Sequence, residues 1–189
     1  MANLTMGSLD CDHVSAPAAS SCTASTSSST SCPNYQIFIN HRGPDVKKGF
    51  ASHLYRGLRG RGLSVFLDKE ELEEGHNISC QIKNAIRGAS VHVAILSPTY
   101  AQSSWCLDEL FLMKNSGAFI IPVFYKVDPS MVRWTVKDGA FAEALRQHEQ
   151  KTTHDPETGK EKPRYSSDTI QNWRNALSYV ADLSGFVYG

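Results

Sequence analysis

The chain has 189 residues, of which 41% are hydrophobic and 20% are charged, a composition typical of one soluble globular domain. The 19 basic and 19 acidic residues give a formal net charge of zero, which argues against a nucleic-acid-binding or anionic-membrane-binding surface. The five cysteines form no C-x-x-C pair, and Cys11 and His13 lack a second ligand pair. We therefore predict neither a disulfide framework nor a metal site.

Residues 1–34 form a tail rich in Ser, Thr and Ala, in which Asp10 and Asp12 are the only charged side chains. Such a segment buries too little apolar surface to offset its ordering entropy, so we predict that it is disordered. The chain has no Lys or Arg before Arg42. It therefore lacks the basic n-region that a signal peptide needs, and no signal peptide is predicted. With no apolar run of roughly 18 residues for a membrane helix, a cytoplasmic protein is predicted. A nuclear location is compatible with this pattern, and the Ser-rich tail leaves a chloroplast transit peptide open.

From Tyr35 onward, apolar runs alternate with helical patterns. Five runs predict strands at residues 36–40, 63–67, 91–96, 119–124 and 185–188. Five helices are predicted between or after them, beginning near Asp45, Asn77, Ser103 or Ser104, Phe141 and Ile170. Residues 68–77 and 151–167 are predicted loops, and residues 127–130 a turn.

Alternating strands and helices with nearly continuous apolar strands predict a parallel sheet that is covered on both faces. Ligands of such sheets lie outside the carboxyl ends of the strands. The loops at residues 41–45, 68–77 and 97–104 are therefore the predicted site region.

Residues 35–189 resemble the TIR (Toll/interleukin-1 receptor-like) family, and specifically its plant members. The matching motifs, in family order, are YQIFINHRG (35–43), FASHLY (50–55), FLDKEELEEG (66–75), SWCLDEL (104–110), IPVFYKVDPS (121–130) and a Trp173-to-Gly185 segment. The resemblance implies a flavodoxin-like fold, with a five-stranded parallel sheet and helices on both faces. It also implies cleavage of the nicotinamide N-glycosidic bond of NAD⁺ in plant immune signalling, with Glu109 as the catalytic residue.

The chemistry fits a single carboxylate. Nicotinamide leaves NAD⁺ as a neutral group, so no acid is needed to protonate it, unlike the leaving oxygen in ordinary glycosidases. Glu109 would stabilise the ribosyl cation or form a transient ester. Trp105 lies one helical turn earlier and on the same helix face, and the resemblance places it in the nucleotide pocket. The alternative is a core tryptophan beside a glutamate that the helix N-terminus favours.

The loop after the first strand supplies further candidates for substrate binding. Arg42 can meet a phosphate bidentately, Gly43 permits close backbone approach, and His41 precedes them; a solvated loop arginine is the alternative. The resemblance assigns the next site loop, the BB loop, a lid and assembly role, with Asp68, Glu71, Leu72, Gly75 and Ile78 as its candidate residues. Glu74, His41 and Pro44 depart from the residues usual in relatives; Glu74 removes a phosphate contact, and the three departures motivate a non-catalytic adaptor as an alternative.

The resemblance also implies self-association through Ser52 and His53 on the first helix, although a plain surface pair would look the same. Relatives usually have one more helix after the position of Gly189. The expected partners are NAD⁺ or NADP⁺ as substrate and further TIR domains, in a homo-oligomer or with other chains, with no cofactor. A catalytically weak adaptor that acts by TIR–TIR contact is the second functional hypothesis, and a nucleotide-binding decoy is a third.

Overall fold

The computed structural model describes residues 35–67, 80–133, 139–155 and 159–189. Its strands are β1 Ile37–His41, β2 Val65–Leu67, β3 Val91–Leu96, β4 Phe119–Tyr125, β5 Thr152–His154, β6 Glu161–Pro163 and β7 Phe186–Tyr188. Five of them form a sheet in the order β2-β1-β3-β4-β7, and every neighbouring pair is parallel. The predicted flavodoxin-like fold is thereby confirmed.

Both faces of the sheet are buried, which explains why its central strands are nearly continuous in apolar residues. Phe38 and Phe124 pack into the larger core cluster on one face. Ile39, Val93 and Ile95 pack into the smaller cluster on the opposite face. Since successive strand residues point to opposite faces, each of these strands has to be apolar at consecutive positions.

Helices cover both faces. They are α1 Gly43–Val46, a π-helical turn Lys47–Ala51, α2 Ser52–Gly60, α3 Cys80–Gly88, a 3₁₀ turn Tyr100–Gln102, α4 Ser104–Asn115, α5 Pro129–Val132, α6 Ala140–Gln150 and α7 Ser167–Ala181. Ser103 caps α4, as predicted, by accepting from the backbone N–H of Cys106. Ser166 caps α7 in the same way, so this helix begins three residues before the predicted Ile170.

The predicted start of the first helix at an Asp45 cap is wrong. Asp45 lies inside the first turn of α1, whose N-cap residue is Arg42, and the Asp45 carboxylate instead accepts hydrogen bonds from Ser97 and Thr99. The predicted single helix is also interrupted, because Gly49 has the non-helical dihedrals φ −122° and ψ −108°. Glycine tolerates this backbone geometry because it has no Cβ.

The predicted loop at residues 151–167 contains an antiparallel hairpin of β5 and β6. All six of its strand residues are exposed, so the hairpin has no apolar alternation by which it could have been recognised. The second half of the predicted turn at residues 127–130 is the start of α5 Pro129–Val132, which Asp128 caps by accepting from the N–H of Ser130.

Gly185 precedes β7 at a point of close backbone approach, since a Cβ there would lie 2.4 Å from the carbonyl oxygen of Pro122. We expect Gly185→Ala to lower the free energy of unfolding by about 1–3 kcal/mol, as overpacking does. Gly57→Ala, within α2, is the control for a methyl group added in open space, since a Cβ there meets nothing within 4 Å; it should raise stability by up to about 1 kcal/mol through helix propensity. Urea unfolding of the wild type and both variants measures these changes. If Gly185→Ala is as stable as the wild type, β7 adjusts to the added methyl group without cost.

His92 on β3 is fully buried, and its Nε2 lies 2.9 Å from the carbonyl oxygen of Ile86. Burial lowers the pKa of His92, and the hydrogen bond to Ile86 offsets this only in part. Below about pH 6.5 the unfolded chain therefore binds a proton that the folded protein does not. The free energy of unfolding should fall as pH drops from 6.5 to the lowered folded pKa, and much less so in His92→Gln. Parallel stability–pH curves for the two proteins would contradict this.

No helix among the described residues is both long and apolar enough to cross a lipid bilayer.

Candidate active site

The sheet has one topological switch point, between β1 and β3. The chain passes from β1 outward to β2 and then returns to the other side of β1 as β3. Loops that leave neighbouring strands in opposite directions open a crevice at their carboxyl ends, which is where ligands of open α/β sheets bind. Asn40 and His41 end β1 here, and Ser97 follows β3.

Glu109 lies at this crevice. It belongs to α4, the helix that follows β3, and its side chain is only 2% exposed. Its Oε2 accepts a hydrogen bond of 2.7 Å from Nδ2 of Asn40. Asn40 is fully buried at the end of β1. The predicted catalytic carboxylate is thus tied to the strand end where a ligand is expected.

Tyr100 completes the surroundings of Asn40. Its hydroxyl donates to Oδ1 of Asn40 and lies 3.0 Å from the carbonyl oxygen of Cys106. Burial raises the pKa of Tyr100 well above its ordinary value; electrostatic interaction with Cys106 and Glu109 raises it further, and the hydrogen bond to Asn40 lowers it. The phenol therefore stays neutral and remains a hydrogen-bond donor at physiological pH.

A second polar cluster joins the loops that follow β1 and β3. Asp45 Oδ2 accepts from Ser97 Oγ at 2.5 Å and from the backbone N–H of Thr99 at 3.1 Å, and Oδ1 accepts from Thr99 Oγ1 at 2.7 Å. Arg42 Nε in turn donates to Thr99 Oγ1 at 2.8 Å. The guanidinium is consequently held at the edge of the crevice. Sequence reasoning named Arg42 but missed the roles of Asp45, Ser97 and Thr99.

Trp105 is half-buried on α4 and packs against the larger core cluster. Its indole Nε1 is buried and has no hydrogen-bond partner within residues 35–67, 80–133, 139–155 and 159–189. His41 is 8% exposed, and its carbonyl oxygen accepts from the Cys106 thiol at 3.4 Å. Gly43 is the first residue of α1. These three predicted substrate contacts thus lie on the elements that border the crevice, while their roles stay predictions.

The two residues predicted for self-association lie at the start of α2. Ser52 donates to the carbonyl oxygen of Lys47, and Nδ1 of the exposed His53 lies 2.7 Å from that of Gly49. Both side chains therefore bind the preceding π-helical turn, and these contacts hold the start of α2 against it. The candidate BB-loop residues Asp68, Glu71, Leu72, Gly75 and Ile78 lie outside the described residues.

Comparison with known proteins agrees with the fold. Residues 34–188 match the family model for the TIR domain. The chain is 38% identical over 164 residues to TMV resistance protein N of Nicotiana glutinosa and 38% identical over 175 residues to disease resistance protein RPV1 of Vitis rotundifolia. These alignments cover 85% and 88% of this chain, but only 13% and 11% of those relatives.

A solved structure extends the likeness to three dimensions. It contains the TIR domains of the activated Roq1 resistosome that directly recognises the pathogen effector XopQ. The TM-score is 0.65 at 33% identity, and the match covers 81% of this chain and 87% of that one. The chain therefore belongs to the TIR domain family.

Proposed function

We propose that this domain cleaves the nicotinamide N-glycosidic bond of NAD⁺, with Glu109 as the catalytic carboxylate, and that this reaction signals in plant immunity. One observation carries the proposal: a glutamate carboxylate is buried and oriented at the β1–β3 switch point, 2.7 Å from Asn40. The relatives of this chain are named as resistance proteins, which supports the immune role. A cytoplasmic location fits this role.

The protein has to position NAD⁺ and to stabilise the positive charge that develops during cleavage. Cleavage sends the bonding electron pair to nicotinamide, which leaves neutral, and positive charge develops on the ribosyl carbon. A carboxylate at Glu109 would stabilise that charge, and burial would strengthen the interaction because the local dielectric is low. Water then adds to the ribosyl carbon to give ADP-ribose, or an adenine nitrogen adds to give a cyclic product. No cofactor is required for either outcome.

Substrate access requires rearrangement, because Glu109 is only 2% exposed. We propose that self-association of TIR domains provides it, with Ser52 and His53 on α2 in the contact between domains. The Roq1 structure is of an activated resistosome, which is consistent with TIR domains working in an assembly. Arg42 would meet the pyrophosphate, as the hydrogen bond to Thr99 uses only its Nε.

The test is nicotinamide release from NAD⁺ by the purified wild-type chain over a wide dilution series. Because only assembled protomers would be active, the rate per protomer should rise with protein concentration. A rate per protomer that is constant over the series would contradict activation by assembly. Absence of product at every concentration and in every assembled state would overturn the enzymatic proposal. NADP⁺ in parallel reactions shows whether the site accepts the additional phosphate.

An adaptor function is the second candidate, and an exposed apolar cleft favours it. The cleft has a volume of about 450 Å³ between α2 and β7, and Phe50, Leu54, Phe186 and Val187 are among its lining residues. Large exposed apolar surfaces are typical of protein-binding faces. An adaptor would bind other TIR domains without turnover. Turnover that Glu109→Ala abolishes would reject a purely scaffolding role.

A further inference from the structure

Three buried polar side chains form one hydrogen-bonded row beside the carboxyl end of β1. The Tyr100 hydroxyl donates to Oδ1 of Asn40, and Nδ2 of Asn40 donates to Oε2 of Glu109. The three residues come from the 3₁₀ turn, β1 and α4, and their exposed fractions are 0%, 0% and 2%. Their contacts therefore link the three elements that meet at the switch point.

With Glu109 ionised, as the proposed function requires, donor and acceptor chemistry gives this row one polarity. An ionised carboxylate only accepts hydrogen bonds, so the end of the Asn40 amide that faces Glu109 has to be its NH₂ group. The opposite end is then the carbonyl oxygen, which needs a donor, and the neutral phenol of Tyr100 supplies it. If the amide were flipped, its oxygen would face the carboxylate of Glu109, and that contact would be repulsive.

The backbone around Asn40 cannot easily shift to loosen this arrangement. Asn40 lies on β1, where it is opposite Ala94 in the register with β3, and the residues just before it, Ile37–Ile39, also pair with β2. A second contact of 3.4 Å joins Nδ2 of Asn40 to the carbonyl oxygen of Cys106 on α4. The amide is thus held at both ends and by a rigid strand.

We infer that Asn40 and Tyr100 are positioning residues for Glu109: together they fix the plane of its carboxylate so that this group meets the developing ribosyl cation in one orientation. The inference rests on the proposed function for its catalytic consequence, but the hydrogen-bonded row itself does not. Asn40 acts directly on Glu109, and Tyr100 acts through Asn40. Neither residue needs to touch the substrate.

The row is tested without any turnover by NMR of the side-chain amide of Asn40. We expect its protons to exchange with solvent on the order of tenfold or more slowly than those of Asn115, whose amide lies on the exposed end of α4, since buried groups exchange only on opening. Tyr100→Phe should speed exchange at Asn40, while Tyr179→Phe, at an exposed tyrosine, should not. Equal exchange at Asn40 and Asn115 in the wild type would overturn the inference.

Kinetics tests the consequence for catalysis. Asn40→Leu should lower kcat by about 10²-fold, because a misplaced catalytic group costs rate and not substrate affinity, and KM should stay within about twofold. Asn115→Leu is the matched control and should change neither constant. Tyr100→Phe, which keeps the aromatic ring, should lower kcat in the same direction, so the test survives if Asn40→Leu fails to fold. A rise in KM with unchanged kcat would overturn positioning.

Different results would overturn NAD⁺ cleavage and the positioning role of Asn40. If the assembled wild type releases no nicotinamide, the proposed function fails, and the exchange of the Asn40 amide alone decides whether the row exists. If the wild type is active and Asn40→Leu, shown to be folded, turns over NAD⁺ with an unchanged kcat, the positioning inference fails and the enzymatic proposal stands.

Discussion

Glu109→Gln is expected to reduce nicotinamide release from NAD⁺ by about 10²- to 10³-fold, the size of effect seen when one electrostatic contact to a transition state is removed. Glutamine has nearly the same shape, and its carbonyl oxygen can still accept from Asn40, which lies 2.7 Å from the native carboxylate. The substitution therefore removes the negative charge that would stabilise the ribosyl cation and changes little else. The measurement is nicotinamide formed per protomer at a protein concentration where the wild type is assembled.

The control for this prediction is Glu143→Gln, which removes a carboxylate from the half-exposed surface of α6. Its partner Arg146 is also on the surface, and such ion pairs contribute little to stability. Glu143→Gln should therefore stay folded and leave turnover unchanged. Thermal unfolding of both variants establishes that they are folded. Wild-type turnover by folded Glu109→Gln would disprove the catalytic role of this carboxylate.

Trp173→Ala is expected to lower the free energy of unfolding by about 3–5 kcal/mol, the usual loss for a buried large aromatic residue. Trp173 is 1% exposed on α7, and its ring centroid lies 4.9 Å from that of Tyr165 and 5.3 Å from that of His148. Its Nε1 also donates to Oδ1 of Asp108 on α4 at 2.7 Å. The substitution thus leaves a cavity and removes a hydrogen bond between two helices.

The two contributions can be separated with Trp173→Phe, which keeps a ring but removes the donor. Losing the partner of a buried polar group costs about 1–3 kcal/mol, so this variant should have intermediate stability in urea unfolding. Combining it with Asp108→Asn should recover part of the loss, since the amide carries no buried charge. If Trp173→Phe is as stable as the wild type, the hydrogen bond to Asp108 contributes nothing and packing alone accounts for Trp173.

Asp108 gives this pair a pH dependence of known sign. Burial raises the pKa of Asp108 above its usual 3.8, and the hydrogen bond from Trp173 opposes that rise. The folded protein therefore keeps the proton to higher pH than the unfolded chain does, so the free energy of unfolding contributed by this group falls as pH rises through that interval. Asp108→Asn should remove this decline, which makes it a useful reference for the Trp173 variants.

Local patterns predicted most of the architecture. The apolar runs at residues 91–96 and 119–124 correspond to β3 Val91–Leu96 and β4 Phe119–Tyr125, because a strand buried on both faces has to be apolar at successive positions. Ser103 was recognisable as a helix cap because capping is a contact over three residues. The exposed hairpin of β5 and β6 was not recognisable, since polar strands held only by each other carry no such periodicity.

The candidate site was likewise predicted only where it depends on local patterns. Local periodicity predicted the sheet, and motifs that are contiguous in the chain predicted the family and, through the resemblance, Glu109 as the candidate carboxylate. The three-dimensional fold was needed to show that Asn40, 69 residues away, donates to Glu109, and that Asp45 binds Thr99 instead of capping its own helix. Such partners cannot be found from local patterns, because hydrogen bonds across a sheet depend on which strands are neighbours. Here β1 lies beside β3 and not only beside β2, and that placement brings the two loops and α4 together.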